Sequence, residues 1–219
     1  MLVNADFSRR ATVSPDDYQW VPSPQQGVER VMLDRLGGER ARATSIVRYA
    51  PGSHFPPHGH PGGEEVLVLS GTFSEGDVHY PAGYYLRNPP GSAHRPSSAE
   101  GAIIFVKLWQ MQPDERTPVR IDTRDAANWQ MQGGREVCPL FANNTERVSL
   151  QRLPPGAPLF DGGVASAEWL VVSGRLETAD GAFDQGSWMR LPQGVYPDML
   201  AGERGAVVYL KTGHLPPIR

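Results

Sequence analysis

The segment EEVLVLSG at 64–71 returns as AEWLVVSG at 167–174, and GYYLRNPPG at 83–91 returns as GSWMRLPQG at 186–194, both 103 residues on. A third pair, SIVRYAPG at 45–52 and SLQRLPPG at 149–156, is offset by 104. Self-similarity at one fixed spacing means that a single structural unit is built twice, which rules out any fold that cannot be cut into two like halves. The halves are expected at 1–115 and 119–219, with the joint in the polar stretch QPDERTP at 112–118.

The residues kept between the halves are mostly structural. Gly52/Gly156, Gly71/Gly174, Gly83/Gly186, Pro89/Pro192 and Gly91/Gly194 are turn formers, while Glu65/Glu168 and Arg87/Arg190 lie within strand-like runs. Glycine and proline together supply 45 of the 219 residues, spread between short β-branched and aromatic runs. That distribution reads as many short strands joined by tight turns. No long amphipathic helix is evident. The segment SPDDYQW at 14–20 can hold one helical turn, with Ser14 as its cap and Pro15 at its first position. The fold class is therefore all-β, a sandwich or barrel repeated in tandem.

The charge balance excludes several functions. With 21 basic and 24 acidic residues and no basic cluster, the chain has no footprint for nucleic acid. No apolar run approaches the ~18–20 residues needed to span a bilayer, so no membrane partner is expected. The opening MLVNADFSRR has no secretory leader pattern. Cys138 is the sole cysteine and lies in the apolar run EVCPLF, so it reads as a buried strand residue. Without a disulfide, a reducing cytoplasm is the expected compartment.

The histidines do not repeat. At an offset of 103, His58 becomes Asp161, His60 becomes Gly163, Glu64 becomes Ala167 and His94 becomes Pro197. A scaffold kept while these side chains are lost is what chemistry confined to one copy would leave. In the first copy the pattern is Gly52-x5-His58-x-His60-x3-Glu64-x6-Gly71, followed by Gly83-x5-Pro89-x-Gly91-x2-His94. His58 and His60, two apart on an extended chain, share a face. Six histidines in 219 residues would fill three specified positions by chance roughly once in 50,000. Three imidazoles and a carboxylate suit one divalent transition metal per chain, zinc first, with iron, manganese or nickel as alternatives.

These two stretches resemble the two signature motifs of the cupins, and the wording HGHPGGEEVLVLSGTF with YPAGYYLRNPPGSAH is similar to the ChrR-like cupins. The resemblance implies two tandem cupin barrels of the double-stranded β-helix or jelly-roll type, the second degenerate. It also implies His58, His60, Glu64 and His94 as the metal ligands. The asparagine usual just beyond the last histidine is replaced by Ser98. ChrR-type anti-sigma factors hold their sigma factor with a separate helical domain built on a His/Cys zinc motif. No histidine precedes His54 here and the only cysteine is Cys138, so a sigma factor is not supported as a partner by these residues.

Other residues are expected to stay outside the site. Glu65 should turn away from the ligand face, and His54, His79 and His214 read as surface residues. Trp169, standing where the first copy has Val66, should fill the space that the second copy's missing ligands leave. No separate catalytic or cofactor-binding residue is assigned. The expected function is that of a regulatory bicupin whose metal site responds to an oxidant or small ligand, read by a protein partner, with a homodimer as one possible assembly. The alternative is a non-haem metal-dependent dioxygenase acting on a small carbonyl or dicarbonyl compound.

Overall fold

A computed structural model describes residues 1–38 and 40–215. The chain forms two compact all-antiparallel β units, each with its own apolar core. In the first unit the main sheet runs Leu2–Val3, Val28–Gly37, Ala41–Tyr49, Ala102–Leu108, Glu64–Glu75, Tyr84–Asn88, Val119–Asp122. In the second it runs Gln130–Gln132, Arg135–Ala142, Arg147–Leu153, Leu200–Thr212, Ala167–Thr178, Trp188–Leu191, Ala11–Val13.

The repeated residues set the same local geometry in both. Opposite Ala102–Leu108 the ladder slips one residue between Ile103 and Ile104. It slips again between Val171 and Ser173, the equivalent place in the second unit. Such a bulge bends a long strand and sharpens its twist. Gly71 and Gly174 follow it, with φ of 66° and 75°. A Cβ at either would collide with the carbonyl of Gly101 or Gly205. Only glycine accepts both the backbone angle and the approach. The expected turn at 14–20 is a 3-10 helix, Pro15–Asp17, with Pro15 at its start.

Alternation sends Val66, Val68, Ile104 and Val106 into the first core, with Tyr49, Phe73 and Tyr80 around them. The opposite face carries a row of charge. Glu65 lies directly across from both Arg87 and Lys107, and Glu168 from both Arg190 and Lys211. All six are buried. Arg87 donates to Glu65 at 3.0 Å and to both carboxylate oxygens of Glu115 at 2.9 Å. Buried charge is tolerated only when paired in this way.

The units are not the two repeats cut end to end. The first comprises Met1–Ala5 and Gln19–Arg124; the second comprises Asp6–Tyr18 and Asp125–Arg219. Ala11–Val13, from the first repeat, pairs with Trp188–Leu191, and Val119–Asp122, from beyond the joint, pairs with Tyr84–Asn88. The repeats have exchanged an edge strand.

Candidate metal centre

His58–His60 pairs with Ser92–His94, placing His58 opposite His94 and His60 opposite Ser92. Gly59 between the histidines leaves their rings on one face. A turn follows, closed by the Gly63 amide donating to the His60 carbonyl at 3.2 Å, with Gly63 at φ 76°. The chain then enters Glu64–Glu75 with Glu64 turned inward. One donor atom from each of His58, His60, Glu64 and His94 lies within 4.8 Å of all the others. His60 and Glu64 are buried, and His58 is the most exposed of the four.

The hydrogen bonds orient these rings. His58 Nδ1 donates to the Pro56 carbonyl at 3.0 Å and His94 Nδ1 to Glu75 Oε1 at 2.6 Å. A carbonyl and an ionised carboxylate can only accept, so in the neutral rings both Nε2 atoms are left as lone pairs. His60 Nδ1 meets Ser92 Oγ at 3.1 Å. His60 and His94 bring their Nε2 atoms to 3.1 Å, and Glu64 Oε2 stands 3.6 and 3.5 Å from them. Lone pairs converging beside a carboxylate could hold a cation between them. A cation with ~2.1 Å bonds would set its donors ~3.0–3.4 Å apart, from octahedral to tetrahedral, so the donor set fits a transition metal ion.

Behind the donors stands a second layer that the sequence reading did not find. Asn88 Nδ2 donates to Glu64 Oε2 at 3.0 Å and to Glu75 Oε1 at 2.9 Å. Arg120, on the exchanged strand, donates to Glu75 Oε2 at 2.8 Å and Asn88 Oδ1 at 2.6 Å. Burial by itself would raise the Glu75 carboxyl, but the His94 hydrogen bond, Arg120 and Asn88 bring it down to about 2. Burial also lowers His60. In His94 burial acts the same way, but the bond to Glu75 and the charge of Glu64 outweigh it and the net shift is upward. The repeat held a signal for this layer: at an offset of 103, Glu75 becomes Thr178, Asn88 becomes Leu191 and Ser92 becomes Val195. Polarity is lost there together with the ligands.

His54 and His79 are exposed, and Glu65 faces away from the cluster onto Arg87. His214 corrects the sequence reading. Its side chain is buried against Glu168 at 3.0 Å, because the second copy's charged row accepts an extra donor there. Cys138 is buried as expected, and burial pushes its thiol up to about 11.

In the second unit the matching positions assemble no metal-binding cluster among the described residues. Ala167 packs in the core, and Asp161 points outward to Arg135 at 2.6 Å. Trp169 is wholly buried, edge-on to Phe183 with ring centres 5.5 Å apart. The expected plug is only partial. A cavity of about 490 Å³ remains, lined by residues including Arg135, Gln151, Phe160 and Leu210 but not by Trp169.

The family model of the ChrR cupin-like domain matches residues 8–112 and again 116–216. The chain belongs to the ChrR cupin-like family. The tandem architecture expected from the repeat, and the ChrR-like cupin expected from the motifs' resemblance, are thereby shown. No curated protein matches the sequence significantly. Similar solved structures include a candidate glyoxylate-induced protein from Pseudomonas aeruginosa. It is 17% identical with a TM-score of 0.75, over 96% of this chain and 91% of that one. A candidate dioxygenase from Nostoc punctiforme is 14% identical with a TM-score of 0.72, over 100% and 84%. The bacterial pirin YhhW from Escherichia coli, solved with nickel(II), is 13% identical with a TM-score of 0.68, over 96% and 100%. At such identities the likeness shows the cupin fold alone. No described helix is long and apolar enough to cross a membrane.

Proposed function

We propose that the first barrel of this ChrR-like bicupin binds one divalent transition metal through His58, His60, Glu64 and His94. The metal centre with its adjoining cavity then serves as a sensing site for a small ligand or oxidant. The observation that carries the reading is the convergence of the four donors within 4.8 Å beside a cavity of about 620 Å³, whose wall includes three of them, His58, His60 and Glu64. When bound, the ion supplies a Lewis-acidic centre with coordination positions open to a ligand. The chain's own residues orient the rings through Pro56, Ser92 and Glu75, and the apolar wall of Val47, Ile104 and Val106 limits water.

Sensing is favoured over acid–base catalysis by what lines the cavity. Every histidine and carboxylate among its described lining residues belongs to the proposed ligand set. The Tyr49 hydroxyl, also on the wall, is pushed far above its ordinary value by burial and by Glu64. Outside the proposed ligand set, the described lining therefore offers no histidine or carboxylate to exchange protons with a substrate. In this reading a protein partner or a second copy of the chain senses the loaded state.

One observation keeps a second reading alive. A cavity of this size beside the proposed metal site suits a non-haem dioxygenase, whose chemistry a bound metal and O₂ would supply without an acid–base residue. Metal analysis of protein purified without added metal, followed by oxygen-electrode measurements, separates the two. One zinc per chain and no O₂ uptake are expected. Iron with substrate-stimulated O₂ uptake would overturn the sensing role. His94→Ala should lower metal content below about a tenth of an ion per chain, since three donors cannot close the site as tightly.

A further inference from the structure

The wall of the metal cavity carries an arginine that the metal site does not use. Arg30 lies on Val28–Gly37, directly opposite Val47, and both line the cavity. Its Nε is buried and meets no hydrogen-bond acceptor among the described residues. A buried N–H without an acceptor costs ~1–3 kcal/mol and is uncommon in folded proteins. Arginine is also a poor choice for an inward wall position in an apolar ladder, where Ile104 and Val106 continue the same surface. The Nε is closed off from the cavity, but Arg30 as a whole is half-buried, so an entering group would meet the remaining guanidinium N–H groups.

The lining indicates what that is. Among its described residues it includes Arg30 and Arg40 and a single carboxylate, Glu64, while Arg35, also on the wall, is engaged with the Gly38 carbonyl. Glu64 is held by Asn88 and faces the histidine cluster, so it does not neutralise Arg30. A bound divalent ion would make the cavity still more positive. An occupant is therefore anionic. The fork of N–H donors on a guanidinium matches a planar carboxylate with two parallel hydrogen bonds. The wall also carries the hydrocarbon side chains of Val47, Ile104, Val106 and Leu108, with Ser45 and Tyr49 among them.

The geometry points to a small organic acid as the ligand of this site. Its carboxylate pairs with Arg30, its carbon body lies along the valine and isoleucine wall, and its far end faces the metal centre. This assignment rests on the proposed reading of the cavity as the metal centre's ligand site, and it names the chemical class that site takes.

Calorimetric titration of the full chain, with metal content measured on the same samples, tests it. The probes are straight-chain monocarboxylates from acetate to octanoate, each beside its own primary amide, with inorganic phosphate as a further anion. Arg30→Gln and Arg30→Lys are the variants, checked for folding by circular dichroism. At least one acid should bind the wild type ten-fold or more tighter than its amide and than phosphate. Arg30→Gln should erase that preference with metal content unchanged, and Arg30→Lys should retain part of it. The inference is overturned if no acid beats its amide, if phosphate binds as well, or if the preference survives in folded Arg30→Gln. A carboxylate preference that depends on Arg30 in protein lacking metal would instead sink the metal reading and leave this one standing.

Discussion

The Nδ1 atoms of the three histidines face three different partners, and those partners decide which way each ring presents its other nitrogen. For His94 the acceptor is Glu75, which is itself clamped by Asn88 and Arg120. A carboxylate behind a ligating imidazole fixes its tautomer and raises its basicity, and losing it typically costs ten- to a hundred-fold in metal affinity. Glu75→Gln is therefore expected to weaken zinc binding by ~10–100-fold in a chelator competition, with one ion still bound at saturation. An unchanged affinity would mean that the ring is held by packing alone. Glu65→Gln should behave in the opposite way. It leaves the cluster intact, so metal affinity should be unaltered, but it strips a partner from buried Arg87. Breaking a buried pair from one side costs ~3–5 kcal/mol, and the remaining bond from Arg87 to Glu115 places the loss toward the lower figure. Denaturant unfolding of the metal-loaded variant measures it. The neighbouring glutamates 64 and 65 are thus separated by strand alternation, one serving the site and the other the fold.

At the scale of strands, the repeat and the motif were legible because both are local patterns in sequence. Turn glycines recur at a constant offset, and two histidines flank one glycine. The exchanged edge strands were not legible. Ala11–Val13 and Val119–Asp122 lie at equivalent places, since Thr12 faces Met189 and Arg120 faces Leu86, positions 103 residues apart. A strand of three or four residues satisfies the same ladder hydrogen bonds on its own repeat or on the other, so nothing in its sequence names its partner. The Arg120 layer was hidden for the same reason, because Arg120 comes from beyond the repeat joint. The exchange carries a testable consequence. A fragment ending at 115 would keep every proposed ligand but leave Tyr84–Asn88 as an open edge, a template for aggregation. A fragment ending at 124 restores the strand and Arg120. The longer fragment is expected to be the more soluble and to hold zinc at least ten-fold more tightly, by light scattering and chelator competition. Equal behaviour would show that the added strand contributes nothing to the site.

Across the whole molecule the two copies divide their labour through which residues they retained. Both keep the bulge, the turn glycine after it and the buried Arg–Glu–Lys row, so both close into a barrel. Only the first keeps the cluster of three histidines and a glutamate inside. The second replaced Val66 with Trp169, and its core around Leu176, Phe183 and Met189 holds that indole with no exposed surface. Truncating a large buried aromatic typically costs ~3–5 kcal/mol, from lost burial and from the cavity left behind. Trp169→Ala should fall in that range in equilibrium unfolding and leave zinc stoichiometry at one, because no ligand lies in its unit. Trp169→Phe separates packing from polarity. The Trp169 indole N–H meets no acceptor among the described residues, so the native protein already bears the cost of a buried donor. Phenylalanine removes that donor while keeping most of the ring, and should therefore destabilise by well under half of the alanine value. If the two substitutions proved equally damaging, an unseen acceptor for the indole would be required. A loss of zinc on Trp169→Ala would show instead that the second barrel supports the metal centre of the first.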